Sequence, residues 1–184
     1  MQRGFVLRSG KFTTITGPDA WRTDIAGINA RGDISGSYQS DRFHGFMLTR
    51  EGVFTTIDAP GAHDTCVQKL NALGEVVGYY NTASWGPTYA FVFKDGVFHA
   101  IDLPGALSVE PQGINDRGDV VGGYQATDGR YRGFLLRDGV VTTTDIPGAT
   151  SVCARDINER GNIVGDSGPG PYQSGVVRGF LLTK

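Results

Sequence analysis

Two acidic residues and two cysteines occupy the same place in a pattern that the chain repeats four times. Five residues before an Asn that recurs along the sequence stand Asp24, Cys66, Glu110 and Cys153. Carboxyl groups in different surroundings can act as a general acid and a general base, and carboxylates with thiolates can also bind a metal. We take Asp24 and Glu110 as candidate catalytic residues. Because no metal-binding or cofactor-binding motif accompanies them, we expect no metal and no cofactor.

A second set of residues lies two positions further along each repeat. Three residues before the repeated Asn stand Ala26, Gln68, Gln112 and Arg155. Alternate residues of a β-strand share a face, so both sets would line one channel if these segments are inner strands. With four repeats around an axis, Asp24 would face Glu110 and Cys66 would face Cys153. We expect the polar members of the second set, and both cysteines, to contact a ligand there.

The same residues also admit a structural interpretation. Unpaired cysteines are common as small apolar fillers, and Asp24 and Glu110 would then be solvated at the channel mouth. A disulfide between Cys66 and Cys153 requires that their Cα atoms lie within about 7 Å of each other.

Aromatic and cationic side chains are concentrated in the longer connections between strands. Variable connections on a rigid scaffold often carry binding sites. Trp and Tyr offer a flat apolar surface with a polar group, and Arg offers several donors, so this rim suits a glycan, a small molecule or a protein loop. The alternative is that some of these rings pack between repeats. The predicted rim residues are Trp21, His63, Trp85, Tyr89, Tyr131, Arg132 and Tyr172.

Two markers recur in the same phase and define the elements that would position these residues. An Asn that follows Ile or Leu, with Gly three residues later, recurs at intervals of 42, 44 and 43 residues. These residues are Asn29, Asn71, Asn115 and Asn158. A Phe preceded by Gly or Ala recurs with them, at Phe5, Phe46, Phe91, Phe134 and Phe180. The chain is therefore built from repeats of roughly 43 residues.

Each repeat reads as four short strands, a to d. Strand a ends at the repeated Asn, strand c contains the repeated Phe, and a tight turn such as Asp138-Gly139 leads to strand d. Four antiparallel strands in this length are typical of a β-propeller blade, whose faces are covered by neighbouring blades. We predict an all-β, four-bladed β-propeller in a single domain, residues 1–184. Its repeats span approximately residues 17–58, 59–102, 103–145 and 146–184.

The strand count leaves the last repeat without a strand d. Lys11–Ile15 has the pattern of that strand, so we expect residues 3–16 to close the ring by completing the last blade. This closure would hide a sheet edge that otherwise invites aggregation. One c strand is then surplus. A monomer is favoured, and the alternatives are a dimer that exchanges strands and a piece of a longer repeat array.

Composition and charge argue against several classes of function. The 17 Lys and Arg residues against 19 Asp and Glu give a net charge of −2, without a basic run, so we expect no nucleic-acid partner. No apolar stretch is long enough to span a membrane, and Met1-Gln2-Arg3-Gly4 does not begin a signal peptide. The 28 Gly residues suit many short strands joined by tight turns.

Several segments resemble those of the HAF-repeat proteins. They are Gly133-Phe134-Leu135-Leu136, Phe54-Thr55-Thr56-Ile57-Asp58, Pro60-Gly61-Ala62, Gly113-Ile114-Asn115 and Val120-Val121-Gly122-Gly123-Tyr124. The resemblance covers essentially the whole chain in four copies. It implies a propeller-like fold and a bacterial protein that is secreted or periplasmic, but no activity, because the family has none to carry over. The His that often precedes the Gly-Phe pair in that family is present here only as His44.

These features predict a binding module that recognises a small molecule, a glycan or a protein on its loop face and in its central channel. The first alternative is a small propeller enzyme, a lyase, isomerase, cyclase or hydrolase, that uses Asp24 and Glu110 as acid and base. The second alternative is a structural part of a larger surface repeat protein.

Overall fold

The computed structural model describes residues 1–169 and 175–183, and the regular elements within them are seventeen β-strands. The chain begins with an N-terminal hairpin of β1 (Gly4–Arg8) and β2 (Lys11–Ile15). Sheet 1 contains β3 (Arg22–Ile28), β4 (Ile34–Gln39), β5 (Phe43–Leu48) and β6 (Phe54–Ile57). Sheet 2 contains β7 (Asp64–Leu70), β8 (Val76–Asn81), β9 (Tyr89–Lys94) and β10 (Val97–Ile101). Sheet 3 contains β11 (Ala106–Ile114), β12 (Val120–Ala126), β13 (Tyr131–Arg137) and β14 (Val140–Thr144). Sheet 4 contains β15 (Ser151–Ile157), β16 (Ile163–Gly168) and β17 (Arg178–Leu182).

Each sheet is an antiparallel meander in which consecutive strands pair. A single parallel pair, Tyr131 with Ser151, connects sheet 3 to sheet 4. No helix that could cross a membrane is found in the described part of the chain. The all-β, propeller-like fold expected from the repeats is therefore confirmed.

The first strand of each sheet packs against the preceding sheet. Strand β7 contacts β3, β4 and β5, strand β11 contacts β7, β8 and β9, and strand β15 contacts β11, β12 and β13. Because the first strands also contact one another in succession, they form the inner layer of the molecule. Their side chains are therefore placed to line a common space.

A buried Phe on the third strand of each complete sheet lies over a Gly on the second. Phe46, Phe91 and Phe134 are almost completely buried, and each such ring stabilises the fold by about 2 kcal/mol. The facing residues are Gly36, Gly78 and Gly122. At Gly122, an added Cβ would lie 2.3 Å from the backbone oxygen of Glu110 and 2.8 Å from the Phe134 ring. Close packing between strands therefore accounts for part of the high Gly content.

The repeated Asn residues hold their own turn and tie it to the next sheet. The Oδ1 atom of Asn71 accepts hydrogen bonds of 3.0 Å from the backbone N–H groups of Leu73 and Glu75. Gly74 completes this turn with a φ of 85°, in the left-handed region that favours Gly. The Nδ2 atom of each of the first three repeated Asn residues donates to the carbonyl oxygen of the next one. These bonds run from Asn29 to Asn71 at 3.0 Å, from Asn71 to Asn115 at 3.0 Å and from Asn115 to Asn158 at 3.2 Å.

The N-terminal hairpin contacts sheet 1 in the way that sheet 3 contacts sheet 4. Gln2 forms a parallel bridge with Arg22, at the repeat positions that Tyr131 and Ser151 occupy. This bridge places the hairpin beside the first strand of sheet 1.

The expected pairing of Lys11–Ile15 with the last sheet is not formed within the described residues. Strand β2 pairs with β1, and β17 pairs with β16. In the described part of the chain, the Asn158 side chain donates no hydrogen bond to the Asn29 carbonyl oxygen. The four-stranded last blade and the closed ring therefore remain predictions.

Candidate functional site

The inner strands surround a cavity of about 1260 Å³. Both sets of residues that strand alternation predicted to point inward line it. The first set is Asp24, Cys66, Glu110 and Cys153, and the second set is Ala26, Gln68, Gln112 and Arg155. The cavity thus brings together eight side chains from four separate segments of the chain.

A β-bulge in every inner strand carries the second set. The pairing register shifts at the same position in β3, β7, β11 and β15. The residues left out of the register are Ala26, Gln68, Gln112 and Arg155. A bulge bends its strand and re-aims a side chain, and here it accompanies a residue that lines the cavity.

The two candidate catalytic carboxylates have different surroundings. Asp24 accepts hydrogen bonds from Arg22 Nε at 2.6 Å and from Gln2 Nε2 at 2.7 Å. Glu110 has no hydrogen bond or ion pair within the described residues, although its side chain is accessible from the cavity. Partial burial raises the pKa of Glu110, and the more distant charge of Arg155 opposes this effect. Asp24 is held in place by its neighbours, whereas Glu110 is free to interact with a ligand.

The two cysteines are free and half-buried. Burial raises the pKa of the Cys153 thiol to about 11 and also raises the pKa of Cys66, so both are neutral thiols at neutral pH. The Cys153 sulfur packs next to Gly123, where an added Cβ would lie 3.1 Å from it. This contact favours the interpretation of Cys153 as a small packing group of the cavity wall.

Residues of the second strands complete the wall and were missed in the sequence. Opposite the first set on the neighbouring strands lie Ser37, Tyr79, Gly123 and Asp166. Arg155 Nε donates to Asp166 at 2.5 Å, so this cation is already paired. Each of these residues stands eight positions after a repeated Asn, so the repeat did contain a signal for them. Recognising it required knowing which residues of the first and second strands lie opposite each other.

Three predicted rim residues line the cavity: His63, Trp85 and Tyr131. Trp85 is fully exposed and has a φ of 62°, which is unusual for a large side chain. Its indole is therefore held out from the chain, beside the cavity.

The other predicted rim residues do not belong to the described lining. Trp21 donates from Nε1 to the Ser40 carbonyl oxygen at 3.2 Å, and the Tyr89 ring packs on Tyr80 with centroids 5.5 Å apart. Arg132 is paired with Asp128 at 2.6 Å. Each of these side chains contacts a nearby residue and does not line the cavity. Tyr172 lies outside the described residues.

Comparison with known proteins gives no family assignment. No protein-family model matches the chain, and no curated protein matches it. Among solved structures, a catalytically inactive virginiamycin B lyase from Staphylococcus aureus with quinupristin has a TM-score of 0.44 and 14% identity, covering 97% of this chain and 59% of that chain. AofleA from Arthrobotrys oligospora has a TM-score of 0.45 and 14% identity, covering 89% of this chain and 58% of that chain. The chain thus spans less than two thirds of either protein, and neither likeness is close enough to assign a function.

Proposed function

We propose that this chain is a binding module that takes a small molecule into the cavity between its inner strands. The observation that supports the proposal is the set of positions at which the four repeats carry different residues. At the repeated Asn and Phe positions the repeats carry the same residue, and these residues build turns and cores. At the two inward positions the repeats carry different residues, and those positions converge on one cavity. A purely structural channel has no need of such differences, whereas a site for an asymmetric ligand does.

We further propose that the described sheets belong to a closed ring of four blades. The N-terminal hairpin already contacts sheet 1 as the outer strands of a preceding blade would. In a ring, its strand β1 would take the place beside β16 that β17 now occupies, and β2 would follow as the fourth strand. The resemblance to HAF-repeat proteins, and the secreted or periplasmic location that it implies, are proposals of the same kind.

An enzyme is the second candidate, and Glu110 is the observation that favours it. A carboxyl group with a raised pKa and no partner is suited to act as a general acid. Asp24 is a less suitable base than the sequence implied, because Arg22 and Gln2 occupy its oxygens. Turnover that disappears in Glu110→Gln while the fold is kept would favour the enzyme.

The binding proposal is tested by filling the cavity. Ala26 lines the cavity from a bulge, so Ala26→Trp places a large ring there without disturbing the strand ladder. Ligand-observed NMR with a library of neutral, cationic and anionic fragments should give hits whose affinity falls about tenfold or more in this variant. Ala100→Trp, on the exposed outer strand β10, is the matched control and should retain them. No hits, or hits that Ala26→Trp leaves unchanged, would refute the proposal.

A further inference from the structure

The cavity carries more negative than positive charge. Among the described residues, its lining contains five carboxylates and three guanidinium groups. The carboxylates are Asp24, Asp41, Asp64, Glu110 and Asp166, and the guanidinium groups are Arg22, Arg42 and Arg155. An anionic ligand would enter against this field, whereas a cation would be attracted to it.

The guanidinium groups of the lining already have anionic partners. Arg22 pairs with Asp24 at 2.6 Å, and Arg155 pairs with Asp166 at 2.5 Å. Arg42 donates to the Ala62 carbonyl oxygen at 2.8 Å and lies 3.4 Å from Asp58. An anionic ligand would have to displace one of these partners to gain a counter-ion. The lining is therefore poorly suited to phosphates and carboxylates.

The carboxylates are also satisfied, with one exception. Asp41 is bonded by Ser40 and lies 3.0 Å from His44, and Asp64 accepts the backbone N–H of Phe43 at 3.0 Å. Glu110 is the carboxylate of the described lining that has no hydrogen bond or ion pair. The Glu110 side chain is exposed to the cavity. A cation on the ligand could therefore pair with this carboxylate without displacing a partner.

The remaining lining is suited to an organic cation and less to a bare metal ion. The side-chain amides of Gln39, Gln112 and Gln125 have no hydrogen-bond partner in the described part of the chain, and they offer both donors and acceptors. Tyr79 and Trp85 provide aromatic faces, which attract organic cations. These groups would hold the body of a ligand while its charged nitrogen meets the carboxylate.

We infer that the cavity binds a small organic cation, an ammonium or guanidinium compound, through an ion pair with the Glu110 carboxylate. This inference rests on the proposed binding function and names the class of ligand for the same site.

The test uses three probes of one shape and different charge: benzylammonium, benzyl alcohol and benzoate. Their affinities for the full chain are measured by ligand-observed NMR at neutral pH. Benzylammonium should bind about fivefold or more tightly than benzyl alcohol, and benzoate should bind most weakly. In Glu110→Gln this preference for the cation should disappear. Because Glu110 has no partners to lose, the variant should keep the fold, which circular dichroism checks.

Glu51→Gln is the matched control, because Glu51 lies in the exposed turn between β5 and β6 and outside the cavity lining. It should retain the preference for the cation. Equal or tighter binding of the alcohol or the benzoate would overturn the inference, as would a preference that survives Glu110→Gln. If none of the three probes binds, the inference fails, and the proposed function fails with it only when the fragment library also gives no cavity hits.

Discussion

A buried ion pair on the side of the molecule with the Asn turns is the clearest single contribution of residues to stability. Asp119 is almost fully buried and accepts two hydrogen bonds of 2.9 Å from Arg137. This guanidinium group holds the pKa of Asp119 well below its usual range. The ionised pair therefore stabilises the fold above about pH 4, the usual pKa of an unfolded Asp, and that stability is lost as the pH falls through the lowered pKa.

Replacing Arg137 by Met should lower the free energy of unfolding at pH 7 by about 2 kcal/mol, because the buried carboxylate loses its bidentate partner. The variant should also lose less stability than the wild type when the pH is lowered from neutral to acid. Urea unfolding at a series of pH values measures both effects.

Arg132→Met provides the comparison within the same strand. Arg132 pairs with Asp128, whose side chain is 48% exposed, so water and salt already screen this pair. We expect the free energy of unfolding to stay unchanged within the error of the measurement. A similar cost for the two variants would contradict the importance of burial.

Side-chain positions were predictable on strands and much less so on connections. Alternation along a strand decides which way Gln68 or Gln112 points, because the backbone leaves two choices. In a connection no such period exists. The side chains of Trp21 and Tyr89 accordingly contact nearby residues that could not be identified from the sequence.

At the scale of the strands, the contact between a Gly on the second strand and a Phe on the third sets how closely each sheet can pack. Gly122→Ala should destabilise the chain by roughly 2 kcal/mol or more, because its Cβ would collide with backbone atoms of β11 and with the Phe134 ring. Thermal unfolding followed by circular dichroism measures the loss.

The adjacent residue is the control for that substitution. Gly123→Ala points its Cβ toward the cavity, where the nearest atom is the Cys153 sulfur at 3.1 Å and a small shift of the side chain relieves the contact. Its cost should stay below about 1 kcal/mol. Equal losses at the two positions would show that Gly is needed at both for another reason.

Turn chemistry predicted some connections in detail. Asp95-Gly96 and Asp138-Gly139 both have positive φ at both positions, as a two-residue hairpin turn requires. In the corresponding Glu51-Gly52 segment only Gly52 does, with a φ of 94°. The bulges were not predictable, because Ala, Gln and Arg all occupy the bulged position and the register of the neighbouring strand decides it.

At the scale of the whole molecule, two strands have sequences that fit the same place in the fold. Strands β1 and β17 both contain a Gly-Phe pair and carry Leu two residues after the Phe. In the structure, Phe180 lies over Gly165, and Phe5 is 62% exposed although its counterparts Phe46 and Phe134 are buried. The sequence could not decide between the two strands, because both suit the place beside β16 equally well.

Closure of the ring predicts which of the two Phe residues matters. If β1 takes the place beside β16, Phe5→Ala should lower the free energy of unfolding by about 3 kcal/mol, as for other core Phe residues, and Phe180→Ala should lower it by less than about 1 kcal/mol. The reverse order would contradict closure by β1. Mass in solution then separates a closed monomer from a dimer that exchanges strands, whose stability would also depend on protein concentration.

The bulged residues of the inner strands have a consequence for redesign and for divergence in evolution. Ala26, Gln68, Gln112 and Arg155 stand outside the hydrogen-bonded register, so exchanging one for another leaves the ladder intact. The chain thus separates the residues that determine its architecture from those that face a guest molecule. Libraries randomised at these four sites should yield folded proteins with new selectivity, and duplicated repeats would provide natural selection with the same freedom.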